Sequence, residues 1–330
     1  MSAIERLLVF NCHEAWVYQL GILGIPIDIV IGLKGRHVDG WDESMRPVPH
    51  GARLVRLSDV LRSPGAYRCV IAHNLSDLLE VKSLTIPKLS VFHGTLEGII
   101  ADQHPSTPAQ ELRRATDQYL RMVHAHALAT SRLKADSWGF IDDVVENSAN
   151  VEDYRPATAE LARGLRVAND IRRKEKTLLW DFHENAFAGV PVAIVGRNKE
   201  MPGILPSRDW ADLKQILRKH RFFIHTAHPK LEDGYNMAVL EAMASGLPVL
   251  GNRHPSSPVE HGLNGFLSND PDQLRECARL LLDDPELALR MGAAARETIR
   301  AKFPPDKFCT GLRRSIETAR NIWGQRPKCV

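Results

Sequence analysis

Short apolar runs alternate with helical segments through the first half of the chain. Apolar residues over 7–10 and 25–33 flank a helical pattern at 15–23, which predicts a strand, a helix and a second strand of a parallel sheet. The pattern also predicts strands at 69–72, 88–92, 127–131 and 143–146, and a helix over 107–125. The turn after the first strand lacks the glycine pattern of a dinucleotide-binding loop.

The alternation continues in the second half of the chain. It predicts strands at 165–168 and 192–196, helices at 177–187 and 207–220, and a strand–loop–helix–strand unit over 221–250. The helix of that unit, residues 236–244, is apolar nearly all round, which is typical of a helix buried inside an α/β layer. Gly246 and Pro248 stand where a helix ends and cannot continue.

One charged residue interrupts that apolar helix. Burying the carboxylate of Glu241 without partners would cost several kcal/mol, so it is either paired inside the protein or faces a ligand. Asp233 lies eight residues earlier in the loop, beside Glu232, and the helix begins between the two acids. A helix N-terminus attracts phosphate. This pattern suits the hydroxyls and diphosphate of a nucleotide sugar; the alternative is an N-terminal acid and a paired core glutamate.

The same residues resemble a known family. Residues 233–249 read DGYNMAVLEAMASGLPV, similar to the EGFGLPLLEAMACGLPV element of the retaining "glycosyl transferases group 1" family, and residues 258–266 are similar to its PEVVEHGxNGFL. The resemblance implies the GT-B fold: two Rossmann-like α/β/α domains facing each other across a cleft, with a C-terminal helix crossing back to the first domain. The first acid departs from the family, being Asp233 unless Glu232 serves instead.

The resemblance also implies roles for individual residues. Asp233 would hold hydroxyls of the donor sugar and Glu241 the ribose. The diphosphate would lie at the backbone N–H groups of the helix start, in the segment Gly234, Tyr235, Asn236 and Met237. His93 follows the strand at 88–92 and is similar to the family's histidine that lines the cleft and faces the donor sugar.

A basic cluster follows the strand at 165–168. We expect it to lead into the helix at 177–187 and to neutralise the leaving diphosphate. The cluster consists of Arg172, Arg173, Lys174 and Lys176. Because the family's GRLxxxKG spacing is not kept, it stays open which of these four residues contacts the diphosphate. The alternative is a solvated helix start.

Length and composition suit a two-domain protein. The 330 residues are 44% hydrophobic and 25% charged with a net charge of +3, which gives no reason to expect nucleic acid as a partner. We place an acceptor-binding domain at 1–155 and a nucleotide-sugar-binding domain at 156–330, with the terminal helix at 307–323 returning to the first. No apolar stretch spans a bilayer and no signal peptide is recognised. We therefore expect a cytoplasmic protein, with weak contact at the inner membrane face as an alternative.

No metal site and no cofactor are expected from the sequence. Asp270 and Asp272 form a D-x-D pattern, but they stand at a helix start, where aspartate is an ordinary capping residue. The prediction is a metal-independent glycosyltransferase with a UDP-sugar donor and a glycan or lipid-linked acceptor. Two alternatives stay open: another enzyme of the same fold, such as a nucleotide-sugar epimerase, and a binding protein that has lost turnover.

Overall fold

Two parallel β-sheets, each with its own helices, organise the chain. The computed structural model describes residues 5–33, 40–62, 66–103 and 106–326. Residues 1–100, 104–146 and 306–330 form one unit, and residues 101–103 and 147–305 form the other. The terminal segment thus groups with the first unit. The boundary expected from the sequence, 155/156, falls inside the second unit.

The first unit contains a seven-stranded sheet in the order β3-β2-β1-β4-β5-β6-β7. Its strands are β1 Arg6–Phe10, β2 Ile27–Ile31, β3 Arg53–Arg56, β4 Tyr67–Ala72, β5 Lys88–Phe92, β6 Ala125–Ala129 and β7 Asp143–Val144. Its helices are α1 Glu14–Gln19, α2 Leu57–Arg62, α3 Leu75–Glu80, α4 Leu96–Gln103, α5 Ala109–Met122, α6 Arg132–Trp138 and, at the end of the chain, α12 Pro305–Gly324. The last residues of α4 group with the second unit.

The β3 edge of this unit was not predicted from the sequence. Strand β3 and helix α2 lie outside every predicted element, and so does α4. Strand β3 borders the sheet and is mostly exposed. An edge strand needs no continuous apolar run, whereas the central strands of a parallel sheet are covered on both faces and do. The apolar pattern therefore reveals the centre of the sheet and misses the β3 edge.

The other edge of the first sheet is tied to the terminal helix by one carboxylate. Asp143 of β7 accepts hydrogen bonds from His126 Nε2 at 2.9 Å, Ser315 Oγ at 2.5 Å and Arg314 at 2.9 Å. Burial alone would raise the pKa of Asp143, but these donors outweigh it and lower the pKa to about 2. The ionised carboxylate is therefore a stabilising link between β6, β7 and α12.

The second unit contains a five-stranded sheet in the order β12-β11-β10-β8-β9. Its strands are β8 Leu161–Val167, β9 Val192–Val195, β10 His220–Ile224, β11 Val249–Gly251 and β12 Gly265–Leu267. Its helices are α7 Trp180–Ala186, α8 Trp210–Lys219, α9 Met237–Ala244, α10 Pro271–Asp283 and α11 Pro285–Lys302. The α/β class with two Rossmann-like units is confirmed.

Helix α9 lies in the core of the second unit, as its apolar sequence predicts. Val239, Leu240 and Ala242 have no exposed surface, and they belong to a cluster that also includes residues of α11 and of strands β8, β10 and β11. The helix ends at Ala244, and Gly246 follows with a φ of +85°. This left-handed conformation favours glycine and places the chain for β11, which confirms the predicted helix end.

Candidate active site

The second sheet reverses its strand order between β8 and β10. The chain runs from β8 to β9 on one side and then returns to β10 on the other, and both strands pair in parallel with β8. In open α/β sheets, ligands bind outside the carboxyl ends of the strands at such a switch point. The loops there are residues 168–179, after β8, and 225–236, after β10. They contain the predicted basic cluster and the predicted acid.

The predicted first acid is held deep inside the loop after β10. Asp233 is 1% exposed, and its Oδ1 accepts a hydrogen bond from Ser256 Oγ at 3.4 Å. Its backbone N–H donates to Glu232 Oε1 at 2.9 Å. Asp233 and Glu232, either of which could serve as the first acid by sequence, therefore lie in one hydrogen-bonded loop. In it, the carboxylate of Glu232 supports the backbone of Asp233.

A second loop, which follows β11, fixes this acid loop. His254 Nε2 donates to the carbonyl of Glu232 at 3.0 Å, while its Nδ1 accepts the backbone N–H of Ser256 at 3.2 Å. Burial lowers the pKa of His254, so the ring is neutral and can act as donor at one nitrogen and acceptor at the other. Ser256 Oγ accepts the backbone N–H of Gly234 at 2.9 Å.

Sequence reasoning missed these two supporting residues. His254 and Ser256 lie in the loop after a buried strand, as Asp233 lies in the loop after another, and this position beyond a strand end was the available signal. Their effect depends on pairing between β10 and β11, which brings the two loops to one edge of the sheet.

Helix α9 begins one residue later than predicted, at Met237. Asn236 is its N-cap, with Oδ1 accepting the N–H of Val239 at 3.0 Å. Tyr235 precedes the cap, is 4% exposed and packs against Phe303 with ring centroids 5.2 Å apart. The positive end of the helix dipole thus lies at Asn236, directly after the acid loop.

Glu241 lies in the second turn of α9 and is 4% exposed. Its neighbours Leu240 and Ala242 are fully buried. The second acid is thus below the surface on the same helix whose start adjoins Asp233. This placement keeps both acids within one loop and one helix of the second unit.

The predicted helix start at residue 177 is wrong. Residues 171–179 form a series of turns, and α7 begins only at Trp180, after Leu179 with a φ of +48°. The basic residues therefore do not occupy the first turn of a helix, where they would oppose its dipole. The local sequence resembles a helix start, but the turns are fixed by contacts with another strand's loop.

Each predicted basic residue has a different setting. The guanidinium of Arg172 lies 3.7 Å from Glu184 and 5.7 Å from the centre of the Trp180 ring. Arg173 donates to Asp102 and lies 4.0 Å from Asp170. Lys176 is exposed. The two arginines already have carboxylate neighbours, so Lys176 is the member of the cluster most available to an anion.

The turn segment is tied to the loop after β10. The carbonyl of Thr177 accepts the N–H of His228 at 2.8 Å, and the carbonyl of Leu178 accepts from Thr226 Oγ1 at 2.5 Å. Arg166 on β8 donates to Thr226 Oγ1 at 2.9 Å and to the carbonyl of Leu178 at 3.2 Å. The structure therefore brings the basic segment and the acid-containing loop together.

Arg166 is a buried cation that sequence reasoning also missed. It is 2% exposed, and burial lowers its pKa to about 9, which still leaves it protonated at neutral pH. It adds positive charge beneath the switch point. Only its burial marks it, because within the strand sequence it looks like one of many surface arginines.

In the first unit, His93 follows β5, and its Nε2 lies 2.9 Å from His73 Nδ1 and 3.8 Å from Cys12 Sγ. Burial lowers the pKa of His93 well below its ordinary value. The expectation of no metal site rested on spacing along the chain, which does not reveal this grouping because its members are far apart in sequence.

The D-x-D residues have the structural role expected of them. Asp270 is the N-cap of α10 and accepts hydrogen bonds from the N–H groups of Asp272 and Gln273. Asp272 pairs with Arg275 at 2.5 Å. Among the helices in the described part of the chain, none is both long and apolar enough to cross a membrane.

Part of the chain matches a known protein family. Residues 192–284 match the family described as Glycosyl transferases group 1. The chain is 35% identical over 81 residues to N-acetyl-alpha-D-glucosaminyl L-malate synthase of Bacillus anthracis, covering 23% of this chain and 21% of that protein. It is 24% identical over 178 residues to trehalose synthase of Pyrococcus horikoshii, covering 53% of this chain and 40% of that protein.

Among solved structures, HepE of Anabaena, crystallised with UDP and glucose, is similar over 95% of this chain and all of that chain, with a TM-score of 0.69 and 14% identity. At this identity the likeness shows the fold, which is that of the GT-B glycosyltransferases. The chain spans between about a fifth and two fifths of the length of the two curated relatives.

Proposed function

Because residues 192–284 belong to the Glycosyl transferases group 1 family and the chain has the GT-B fold, we propose that the protein is a glycosyltransferase. It moves a sugar from a nucleoside-diphosphate sugar to an acceptor hydroxyl with retention of configuration. The observation that carries this proposal is the switch point of the second sheet, where a basic segment, an acid loop and a helix N-terminus meet. A nucleotide sugar offers matching groups: an anionic diphosphate and two sets of hydroxyls.

The donor's parts are assigned by charge. Its diphosphate lies at the start of α9, where the N–H groups around Tyr235, Asn236 and Met237 carry the positive end of the dipole. Asp233, after which Gly234 leads into the helix, accepts hydrogen bonds from hydroxyls of the transferred sugar. Glu241 accepts from the ribose. Placing a carboxylate against hydroxyls rather than phosphate avoids repulsion between like charges.

Catalysis in this proposal is stabilisation of the leaving diphosphate. The bond between the anomeric carbon and the donor phosphate oxygen breaks, a bond to the acceptor oxygen forms, and the acceptor proton passes to the leaving phosphate. Negative charge grows on that phosphate in the transition state, where fixed cations are most effective. Lys176 and, after exchange of their carboxylate partners, Arg172 and Arg173 supply such charge, and buried Arg166 adds to the local positive field.

The donor and acceptor classes are narrower parts of the proposal. UDP is the proposed nucleotide, supported by the similarity in fold to HepE, whose crystal structure contains UDP and glucose. A glycan or lipid-linked precursor is the proposed acceptor. Asp270 and Asp272 have no metal-binding part in the donor site, because Asp270 caps α10 and Asp272 pairs with Arg275. The transfer step is accordingly proposed to be metal-independent.

Binding of UDP and of uridine by calorimetry tests the diphosphate site. A charge-assisted hydrogen bond contributes about 1.5–3 kcal/mol, so Lys176→Ala should weaken UDP binding about tenfold or more and leave uridine binding unchanged. Lys219→Ala is the matched control. Lys219 is the last residue of α8 and directly precedes β10, so it lies at the amino end of that strand, away from the loops of the proposed site. Equal loss of both ligands, or of neither, would show that Lys176 does not contact the diphosphate.

Turnover separates a transferase from a binding protein. The chain should release UDP from a UDP-sugar in the presence of an acceptor sugar, with the anomeric configuration of the product read by NMR. Asp233→Asn should lower kcat about tenfold or more at unchanged UDP affinity, because it weakens sugar contacts and not phosphate contacts. Binding of donors without any turnover across a panel of nucleotide sugars would favour the non-catalytic alternative.

A further inference from the structure

Three metal-ligating side chains meet at the switch point of the first sheet. The strand order there reverses between β1 and β4, and β5 pairs with β4. Cys12 follows β1, His73 follows β4 and His93 follows β5. Because the three strands are parallel neighbours, the residues after their carboxyl ends are brought together.

The separations between the ligand atoms suit a single ion. His73 Nδ1 and His93 Nε2 are 2.9 Å apart, Cys12 Sγ is 3.8 Å from His93 Nε2, and all three atoms lie within 4.8 Å of one another. Tetrahedral zinc, with Zn–N of about 2.05 Å and Zn–S of about 2.3 Å, separates two nitrogens by about 3.3 Å and nitrogen from sulfur by about 3.6 Å. We propose that Cys12, His73 and His93 bind a zinc ion.

The chemistry of the three groups favours a borderline-soft divalent ion. Imidazole nitrogen and thiolate sulfur are the ligands that zinc prefers, while magnesium and calcium require oxygen. A thiol that coordinates a metal ion is deprotonated, so Cys12 would bind as the thiolate.

Charges around the cluster have both signs. The negative charges of Asp77 and Glu14 disfavour the thiolate of Cys12. Asp77 also accepts the backbone N–H of His73 at 2.8 Å. The positive charge of Lys134 disfavours protonation of His93. Its ammonium group lies 3.3 Å from Thr130 Oγ1. The carboxylate of Asp77, which is held next to His73, favours a bound cation.

Zinc in proteins is usually four-coordinate, so the three side chains leave one position on the ion for a water molecule.

Metal titration of the untagged full chain tests the site. After removal of metal by a chelator, the protein should bind one equivalent of Zn²⁺, measured by competition with a chromophoric chelator. Cys12→Ser and His73→Asn should each weaken binding more than about 100-fold, since loss of an outer-shell partner alone costs about 10- to 100-fold. Cys277→Ser and His50→Asn are matched controls, located in α10 and at an exposed turn, and should bind as the parent does.

Cobalt gives a readout in the parent chain itself. The parent chain loaded with Co²⁺ should show a thiolate-to-cobalt charge-transfer band, and Cys12→Ser should lack it. Absence of the band in the parent, or zinc binding equal in Cys12→Ser, His73→Asn and the controls, would overturn the proposal. UDP titration of the same samples keeps this test separate from the donor site, which lies in the second unit.

Discussion

The substitution Gly234→Ala probes how tightly the acid loop is held. A Cβ atom on Gly234 would lie 2.6 Å from His254 Nδ1, 2.8 Å from His254 Cγ and 2.8 Å from the backbone nitrogen of Ser257. All three separations are shorter than carbon normally tolerates. The His254 ring cannot swing away freely because both of its nitrogens are hydrogen-bonded, and the backbone of Ser257 has no alternative rotamer.

The loop itself must therefore move. Overpacking of this kind costs about 1–3 kcal/mol, which for a unit of this size corresponds to a decrease in Tm of about 2–10 °C. The shift would also lengthen the hydrogen bond from Gly234 N–H to Ser256 Oγ and displace Asp233. We expect weaker binding of a UDP-sugar together with the stability loss, because one movement causes both.

Urea unfolding and calorimetric binding measure the two effects. Gly40→Ala is the control, since no atom of the described residues lies within 4 Å of its added Cβ, and it should stay within about 0.5 kcal/mol of the parent. In the background of His254→Ala, the penalty of Gly234→Ala should shrink, because part of the obstruction is gone. Unchanged stability and unchanged donor affinity in Gly234→Ala would refute the described packing of the loop.

Three further substitutions test other contacts. Asn236→Ala removes the cap of α9 and should cost about 1 kcal/mol in urea unfolding, with Asn236→Asp retaining most of it; an unchanged midpoint in Asn236→Ala would exclude the cap. Glu241→Gln should weaken UDP binding about tenfold with a smaller effect on stability, whereas the reverse would show a structural pair. For Asp143, the folded pKa of about 2 lies below the unfolded value near 3.9, so its contribution is present above pH 4 and lost as pH falls towards 2. Asp143→Asn should therefore cost about 2.5 kcal/mol at pH 7 and almost nothing at pH 2, and a gap that does not depend on pH would contradict this assignment.

Local sequence determined much of this fold. Central strands appear as apolar runs because both faces of a parallel sheet are covered, and β5 was predicted over the residues that form it. The all-apolar helix α9, its end before Gly246 and the capping role of Asp270 follow from chemistry within a few residues. The acid at residue 233 and the acid at 241 were likewise visible from their spacing.

Tertiary structure decided what the loops do. Residues 171–179 look like a helix start but form turns, because their carbonyls bond to the loop after β10. His254 supports the acid loop, and Cys12 approaches His73 and His93, only because β10 pairs with β11 and β1 with β4. Strand order joins residues that are distant along the chain, and the hydrophobic pattern of each strand carries no information about its neighbour. The sequence alone therefore predicts the elements and the acids, while the partners of those acids and the cysteine–histidine cluster require the assembled sheets.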